Sequence, residues 1–405
     1  MRQMNSMVIF GIRALSAGAA ALAKHTLLAQ LVLIWSLVGN LAVAQNISVQ
    51  LVPDNGLQPR LIADAKGGIH LLYFKKRLDR PDAREGNLYY RQWQQDTGAF
   101  GNPVKVSSAA FPLQTVSISR AAIAIDGRGR AHVVWYRPKD NQYYYARSNE
   151  QRTEFSTQLE VVHEFSEGLD AGADIAALDD KVAIVWGAGD LSREFERTVF
   201  ARYSEDGGAT FGAEIQLGNP DLGACGCCSL ATNFADQDSL VVAYRSALDG
   251  VGRHMQLLTV EGLSAGVSAA FYGETTDLQR WEASYCPLST NDITLDQQGQ
   301  AWLVFETQAR VVQKLLTNTS LPTLVGEPFK ETRQKNPAMA INNQGARLVV
   351  WAEAISHTKG GRLNMRLVDA SGVDQTQPLE GEINLRDFSF PAAAALPDGS
   401  FLVLH

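Results

Sequence analysis

The chain of 405 residues carries a formal net charge of −7 with 45% apolar side chains, enough to bury a sizeable core and too acidic to suit nucleic acid as a partner. It contains no phosphate-binding glycine loop, helical metal-ligand motif or serine-hydrolase elbow, so no cofactor is expected.

The first 44 residues hold Arg2, Arg13 and Lys24 and no acid, and they close with the apolar run LLAQLVLIWSLVGNLAVA over 27–44. Ala42, Val43 and Ala44 before Gln45 give the small-residue spacing of a signal-peptidase site. Residues 1–44 therefore read as a signal peptide and the product as periplasmic or secreted. The alternative is an uncleaved anchor, because the run of 18 residues reaches the lower limit for spanning a bilayer, although Gln30, Ser36 and Asn40 interrupt it. Cleavage would leave 361 residues at net charge −10, expected to form one soluble domain over 45–405 with no further membrane segment.

From residue 59 onward a short pattern returns seven times, at 59–74, 120–136, 174–186, 230–244, 291–305, 337–351 and 391–405. Five copies align on Asp64, Asp126, Asp296, Asn342 and Leu396, with a glycine three positions later at Gly67, Gly129, Gly299, Gly345 and Gly399. Nine positions after the aligned residue comes a ring: Tyr73, Trp135, Phe305, Trp351 and His405. The copies at 174–186 and 230–244 lack the glycine. A glycine between two apolar runs supplies the positive φ of a tight hairpin, so each copy predicts the two inner strands of one blade. Segments between copies, such as 87–93 (NLYYRQW), 142–147 (QYYYAR), 198–203 (TVFARY), 255–260 (MQLLTV) and 363–368 (LNMRLV), alternate as a third strand should.

The pattern predicts an all-β fold, a β-propeller of four-stranded antiparallel blades. Seven blades are expected, with six as the alternative. The last copy stops after two strands, and 46–52 (NISVQLV) is the segment expected to complete that blade.

After the third strand of the third copy stands SEDGGATF over 204–211, which fits the Asp box S-x-D-x-G-x-T-[WF]. Weaker echoes occur at 95–100 and 369–372. With the seven-fold repeat, this box resembles the sialidase superfamily of β-propellers. That resemblance implies an exported glycosidase acting on glycans, with a box that lies on the outer rim as a structural turn.

In a propeller the loops leading into the inner strands share one funnel-shaped face with the loops from second to third strands. They gather Arg60, Arg120, Cys225, Cys227, Cys228, Tyr285, Cys286, Arg333 and Phe390, joined by Arg77, Asp82, Arg245 and Arg253. A sialidase grips a substrate carboxylate with three arginines, since guanidinium matches carboxylate bidentately, and uses an Asp acid/base and a Tyr nucleophile with a Glu partner. By position in its motifs the resemblance offers Arg60 for the clamp and Asp82 as acid/base, with Asp79 and Glu85 as competitors; residue type and expected face add Arg245 and Arg333 to the clamp and Tyr285 with Glu282 as the nucleophile pair. The stretch around Arg60 departs from the family's opening motif, because Pro59 precedes the arginine and none follows it. The competing reading is a non-catalytic carbohydrate- or protein-binding propeller, since fold alone does not license activity.

The four cysteines precede the fourth and fifth copies, at 225–228 (CGCC) and at Cys286. In an exported chain they read as two disulfides with three conceivable pairings, one linking the CGCC loop to Cys286. A thiolate site for a soft ion such as Cu(I) or Zn(II), in a periplasmic metal-handling protein, is the alternative. Partners are expected to be glycans or glycoconjugates, and the sequence does not determine an oligomeric state.

Overall fold

The computed structural model describes residues 46–405 apart from 80–83, 114–117, 119, 171, 264–272, 328–331 and 357. The expected signal peptide and Asp82 lie outside the described residues.

The recurring Asp or Asn is the organiser of each hairpin. Asp64 Oδ1 accepts the N–H groups of Lys66 (2.8 Å) and Gly68 (2.7 Å), and its carbonyl accepts the N–H of Gly67 at 3.0 Å. Asp126, Asp296 and Asn342 repeat this pair of bonds at their own turns. A short side chain that reaches its own backbone two residues on pre-forms the turn, and the glycine takes the positive φ that closes it. That φ runs from +73° at Gly299 to +88° at Gly399. In the last copy Leu396 has no such side-chain acceptor, and Asp398 holds the N–H of Ser400 at 2.9 Å instead.

Seven hairpins give seven small sheets. Their inner strands are Leu57–Ala63, Ala122–Ile125, Asp174–Leu178, Ala231–Phe234, Asn291–Leu295, Arg333–Ile341 and Ala392–Ala395. Each touches the next, and the first touches the last, so the sheets close a ring as the blades of a seven-bladed β-propeller. The six-bladed arrangement is thereby excluded.

The second strands explain why the chain reads as near-continuous apolar runs. In Ile69–Lys76 of blade 1, Leu71 and Tyr73 pack with Leu402 and Leu404 of blade 7, while Leu72 and Phe74 pack with Val133 and Trp135 of blade 2. Alternate residues face opposite neighbours, and both faces are buried. Seven separate apolar clusters fill the seven gaps between adjacent blades. The core is therefore a ring of interfaces, each large side chain contributing about 1.5–3 kcal/mol by burial.

Among the described residues, blades 1 to 5 have at least four strands and blade 6 has three, extended by single bridges at Val368–Asp374 and Arg362–Asn384. Blade 7 differs in direction. Its outer strand is Ile47–Gln50, paired parallel to Phe401–Leu404 in the register Ile47–Phe401 to Gln50–Leu404. The reason is geometric: a strand parallel to the second strand ends at the face where inner strands begin, and Leu57 starts blade 1 a few residues later. The segment expected to complete the last blade does so, as a parallel strand where an antiparallel one was expected.

The octamer at 204–211 lies between the third strand Thr198–Ser204 and the fourth strand Ile215–Gln216. Ser204 Oγ accepts the N–H of Gly208 (2.8 Å), Asp206 accepts the N–H and hydroxyl of Thr210 (2.9 and 2.7 Å), and half-buried Phe211 meets Tyr145 edge-on.

Sequence reading missed a second regularity. Asp64–His70–Tyr90 and Asp126–His132–Tyr145 form matching hydrogen-bonded chains in blades 1 and 2, with His Nε2 3.0 and 3.1 Å from the carboxylate. Burial holds His132 below its usual range, so its neutral ring donates to Asp126 and accepts from Tyr145.

Deleting residues 46–52 should lower stability by about 3 kcal/mol or more, because it bares the edge of Phe401–Leu404 and removes buried Val52. Thermal and urea unfolding check this, and an unchanged midpoint would contradict closure by the N-terminal strand.

Candidate functional site

Arg60 reaches across the ring from blade 1 to blades 3 and 5. Arg60, on the inner strand of blade 1, places Nη1 3.0 Å from Asp292 Oδ1 in blade 5 and Nη2 3.6 Å from Asp174 Oδ1 in blade 3. The other oxygen of Asp174 accepts the N–H of Thr232 at 2.8 Å. Burial raises the carboxyl pKa of Asp174 against the pull of Arg60. Beside this network Arg120 lies over the Phe390 ring at 5.4 Å, and burial, reinforced by the charge of Arg60, brings it down to about 9. Arg60 and its two carboxylates thus link blades 1, 3 and 5 around the axis.

Closer to the mouth, blades 4, 5 and 6 build a polar floor. Arg245, the last residue of Leu240–Arg245, donates from Nε to Ser289 Oγ (2.7 Å), from Nη1 to the Arg253 carbonyl (2.6 Å) and from Nη2 to the Glu306 carbonyl. Its guanidinium also lies 4.8 Å from the centre of the Trp281 ring. Glu306 accepts from Thr290 Oγ1 (2.7 Å) and the N–H of Asn336 (2.6 Å) and pairs with the Lys335 ammonium. Lys335 also donates to the Leu288 carbonyl at 3.0 Å. Glu306 and Lys335 neutralise each other and Arg245 is held by neutral acceptors, so each buried charge is hydrogen-bonded.

Over this floor opens a cleft of about 230 Å³, lined by Trp281, Tyr285, Glu306, Gln308, Arg333 and Lys335 among others. Tyr285 is 55% exposed and meets Trp281 at 75° with ring centres 6.1 Å apart. Arg333 is exposed and has no ion pair among the described residues. At the lip, Gln308 and Ala309 both take positive φ in a two-residue hairpin from Thr307 to Arg310, a conformation that costs non-glycine residues energy and fixes the lip sharply.

The disulfide joins Cys227 to Cys286 and so cross-links the loops before blades 4 and 5. In place of a second disulfide, Cys225 and Cys228 stand as buried thiols with sulfurs 3.0 Å apart. The sulfurs of Cys225, Cys227 and Cys228 all lie within 4.8 Å of one another, but the disulfide leaves two thiols to meet an ion.

Of the residues singled out by sequence, Tyr285 and Arg333 share the cleft, with exposed Glu282 near by on the segment between Trp281 and Tyr285. Arg60 and Arg245 are engaged by protein partners and do not converge with Arg333 as three free cations. Arg77 is paired with Asp79, and Arg253 with Glu194 at 2.7 Å. Trp281, Glu306, Lys335, Asp174 and Asp292 were not singled out. Glu306 directly follows the apolar run 303–305, and a charge continuing a buried strand was the available signal for a partnered group.

No protein-family model matches the sequence, and no curated protein matches it. Among solved structures the chain is similar to a protein of unknown function from Dyadobacter fermentans, at TM-score 0.50 and 12% identity over 79% of this chain and 96% of that one. It is also similar to an α-L-arabinofuranosidase from Fusarium graminearum (TM-score 0.49, 8% identity, 81% and 98% covered). A third is an α-L-arabinanase from Penicillium chrysogenum (TM-score 0.47, 11% identity, 81% and 99% covered). Identities this low speak to the fold alone.

Asp292→Ala should destabilise the protein by about 3–5 kcal/mol, since it leaves the buried Arg60 charge with only the longer contact to Asp174, whereas Arg60→Met combined with Asp174→Asn and Asp292→Leu should cost less than Asp292→Ala alone. Urea unfolding measures both. A loss under about 0.5 kcal/mol for Asp292→Ala would show that the axial network is not a buried ion pair.

Proposed function

We propose that this chain is an exported glycan-recognising propeller, with the sugar seated in the cleft between Tyr285, Trp281 and Arg333. The observation that carries this reading is exposed Tyr285 against half-buried Trp281, beside Arg333, a cation without an ion pair among the described residues, over a floor whose charges are hydrogen-bonded within the protein. Sugar rings present apolar C–H faces that pack on aromatic rings, while their hydroxyls and acidic groups need fixed polar partners. Arg333 favours an acidic sugar, because a guanidinium pairs bidentately with a carboxylate. The N-terminal run ending at Ala44 supports delivery of the domain to the periplasm or beyond.

The finer reading is a sialidase-like exo-glycosidase, with Asp82 as acid/base and Tyr285 and Glu282 as nucleophile pair. It calls for three arginines on one carboxylate. The engagement of Arg60 by Asp174 and Asp292, and of Arg245 by Ser289 and two carbonyls, supports binding ahead of turnover.

Glycan-array screening followed by calorimetry tests the proposal. Tyr285→Ala and Trp281→Ala should each weaken the selected glycan about tenfold or more, with Tyr285→Ala leaving the unfolding midpoint unchanged. Affinity indifferent to both substitutions would contradict the site. Hydrolysis of a fluorogenic sialoside that is lost in Asp82→Asn would replace binding with catalysis.

A further inference from the structure

Nothing in glycan recognition uses the sulfurs beneath the cleft. Cys225, Gly226, Cys227 and Cys228 form the loop before blade 4. Within it the Cys225 sulfur lies 3.0 Å from that of Cys228 and 3.4 Å from that of Cys227, which is bonded to Cys286. All three sulfurs of the loop are buried, but Cys286 is exposed next to Tyr285. A buried dithiol therefore sits in contact with the inner sulfur of a disulfide whose other cysteine, Cys286, is an exposed residue.

The surroundings divide the two thiols by role. Cys228 accepts from Ser289 Oγ at 3.3 Å. Burial opposes its ionisation, but the Cys225 thiol, the Arg245 guanidinium and Ser289 outweigh burial and pull its pKa down. Cys225, donating to Cys228 and buried, is pushed up. Cys228 is therefore the member of the pair that ionises first, 3.0 Å from the Cys225 thiol, and a thiolate is what exchange requires.

We propose that the four cysteines form a thiol–disulfide exchange centre that passes two electrons from the Cys225–Cys228 dithiol to a disulfide outside the protein. Cys228 takes the proton of Cys225, and the Cys225 thiolate attacks the Cys227 sulfur. The Cys227–Cys286 bond breaks and its electron pair leaves on the exposed Cys286. Cys228 then gives its proton to water, from which both thiolates released from the external disulfide are protonated, and attacks Cys225, which forms the Cys225–Cys228 disulfide and frees Cys227. Cys286 thiolate attacks an aliphatic disulfide, releasing one thiol and holding the other half as a mixed disulfide. Cys227 displaces that half and restores the Cys227–Cys286 bond. The balance is one external disulfide reduced to two thiols and one internal dithiol oxidised.

Oxidised glutathione is the probe, added to protein brought to two thiols per chain with limiting dithiothreitol. The expected result is one oxidised glutathione consumed per chain, with Cys225 and Cys228 ending linked, at a rate that falls about tenfold or more in Cys286→Ser and in Cys225→Ser. Ser289→Ala keeps every sulfur and covers the case in which those variants fail to fold; it should slow the exchange near neutral pH and recover in alkali. Three results would overturn the proposal: no glutathione released, an equal rate in Cys286→Ser, or a metal ion bound stoichiometrically to the sulfurs of the purified protein.

Discussion

Every second strand in this fold is buried on both faces, and that constraint shapes the rest. A strand such as Ile69–Lys76 sends Leu71 and Tyr73 to one neighbour and Leu72 and Phe74 to the other, so no blade can be left as an end. An open array would bare the facing apolar surfaces of blades 1 and 7. Closure removes them, and the parallel strand Ile47–Gln50 ties the first residues of the domain to its last strand. The same strand brings the chain to the mouth in time for Leu57, which sets the direction of every inner strand that follows.

Closure also sorts the two ends of the ring by chemistry. The hairpin end is governed by the backbone, through Asp64, Asp126, Asp296 and Asn342 folding onto their own N–H groups. The mouth end has no such repeat, and its charges come from different blades: Arg60 to Asp174 and Asp292 across the axis, Lys335 to Glu306 between blades 6 and 5. These pairs hold the blades in register beneath the cleft. Tyr285, Trp281 and Arg333 stand above them, on a floor that asks nothing further of a ligand.

The architecture was legible in the sequence because its signal is local. A turn acceptor, a glycine three residues on and a ring nine residues on are spaced by one hairpin, and the structure places Gly67, Gly129, Gly299, Gly345 and Gly399 at positive φ. Even the copies without glycine at 174–186 and 230–244 keep the alternation of their strands. The mouth was legible only as a set of loops. Which arginine is free depends on partners, most of them from other blades: Arg60 reads as a cation for substrate until Asp174 and Asp292, more than a hundred residues away, are brought to it, and Arg245 until Ser289 and the carbonyls of Arg253 and Glu306 surround it. The link from the CGCC loop to Cys286 was legible from loop position, whereas the thiol state of Cys225 and Cys228 depends on local packing.

The central claim is that ligand meets this propeller at the mouth, between blades 4, 5 and 6. Hydrogen–deuterium exchange with and without a saturating array-selected glycan tests it most directly. Slowed exchange confined to 281–289, 306–310 and 332–336 is the predicted result. Protection at the hairpin end instead, around 64–68 and 126–130, or protection nowhere, would contradict the account.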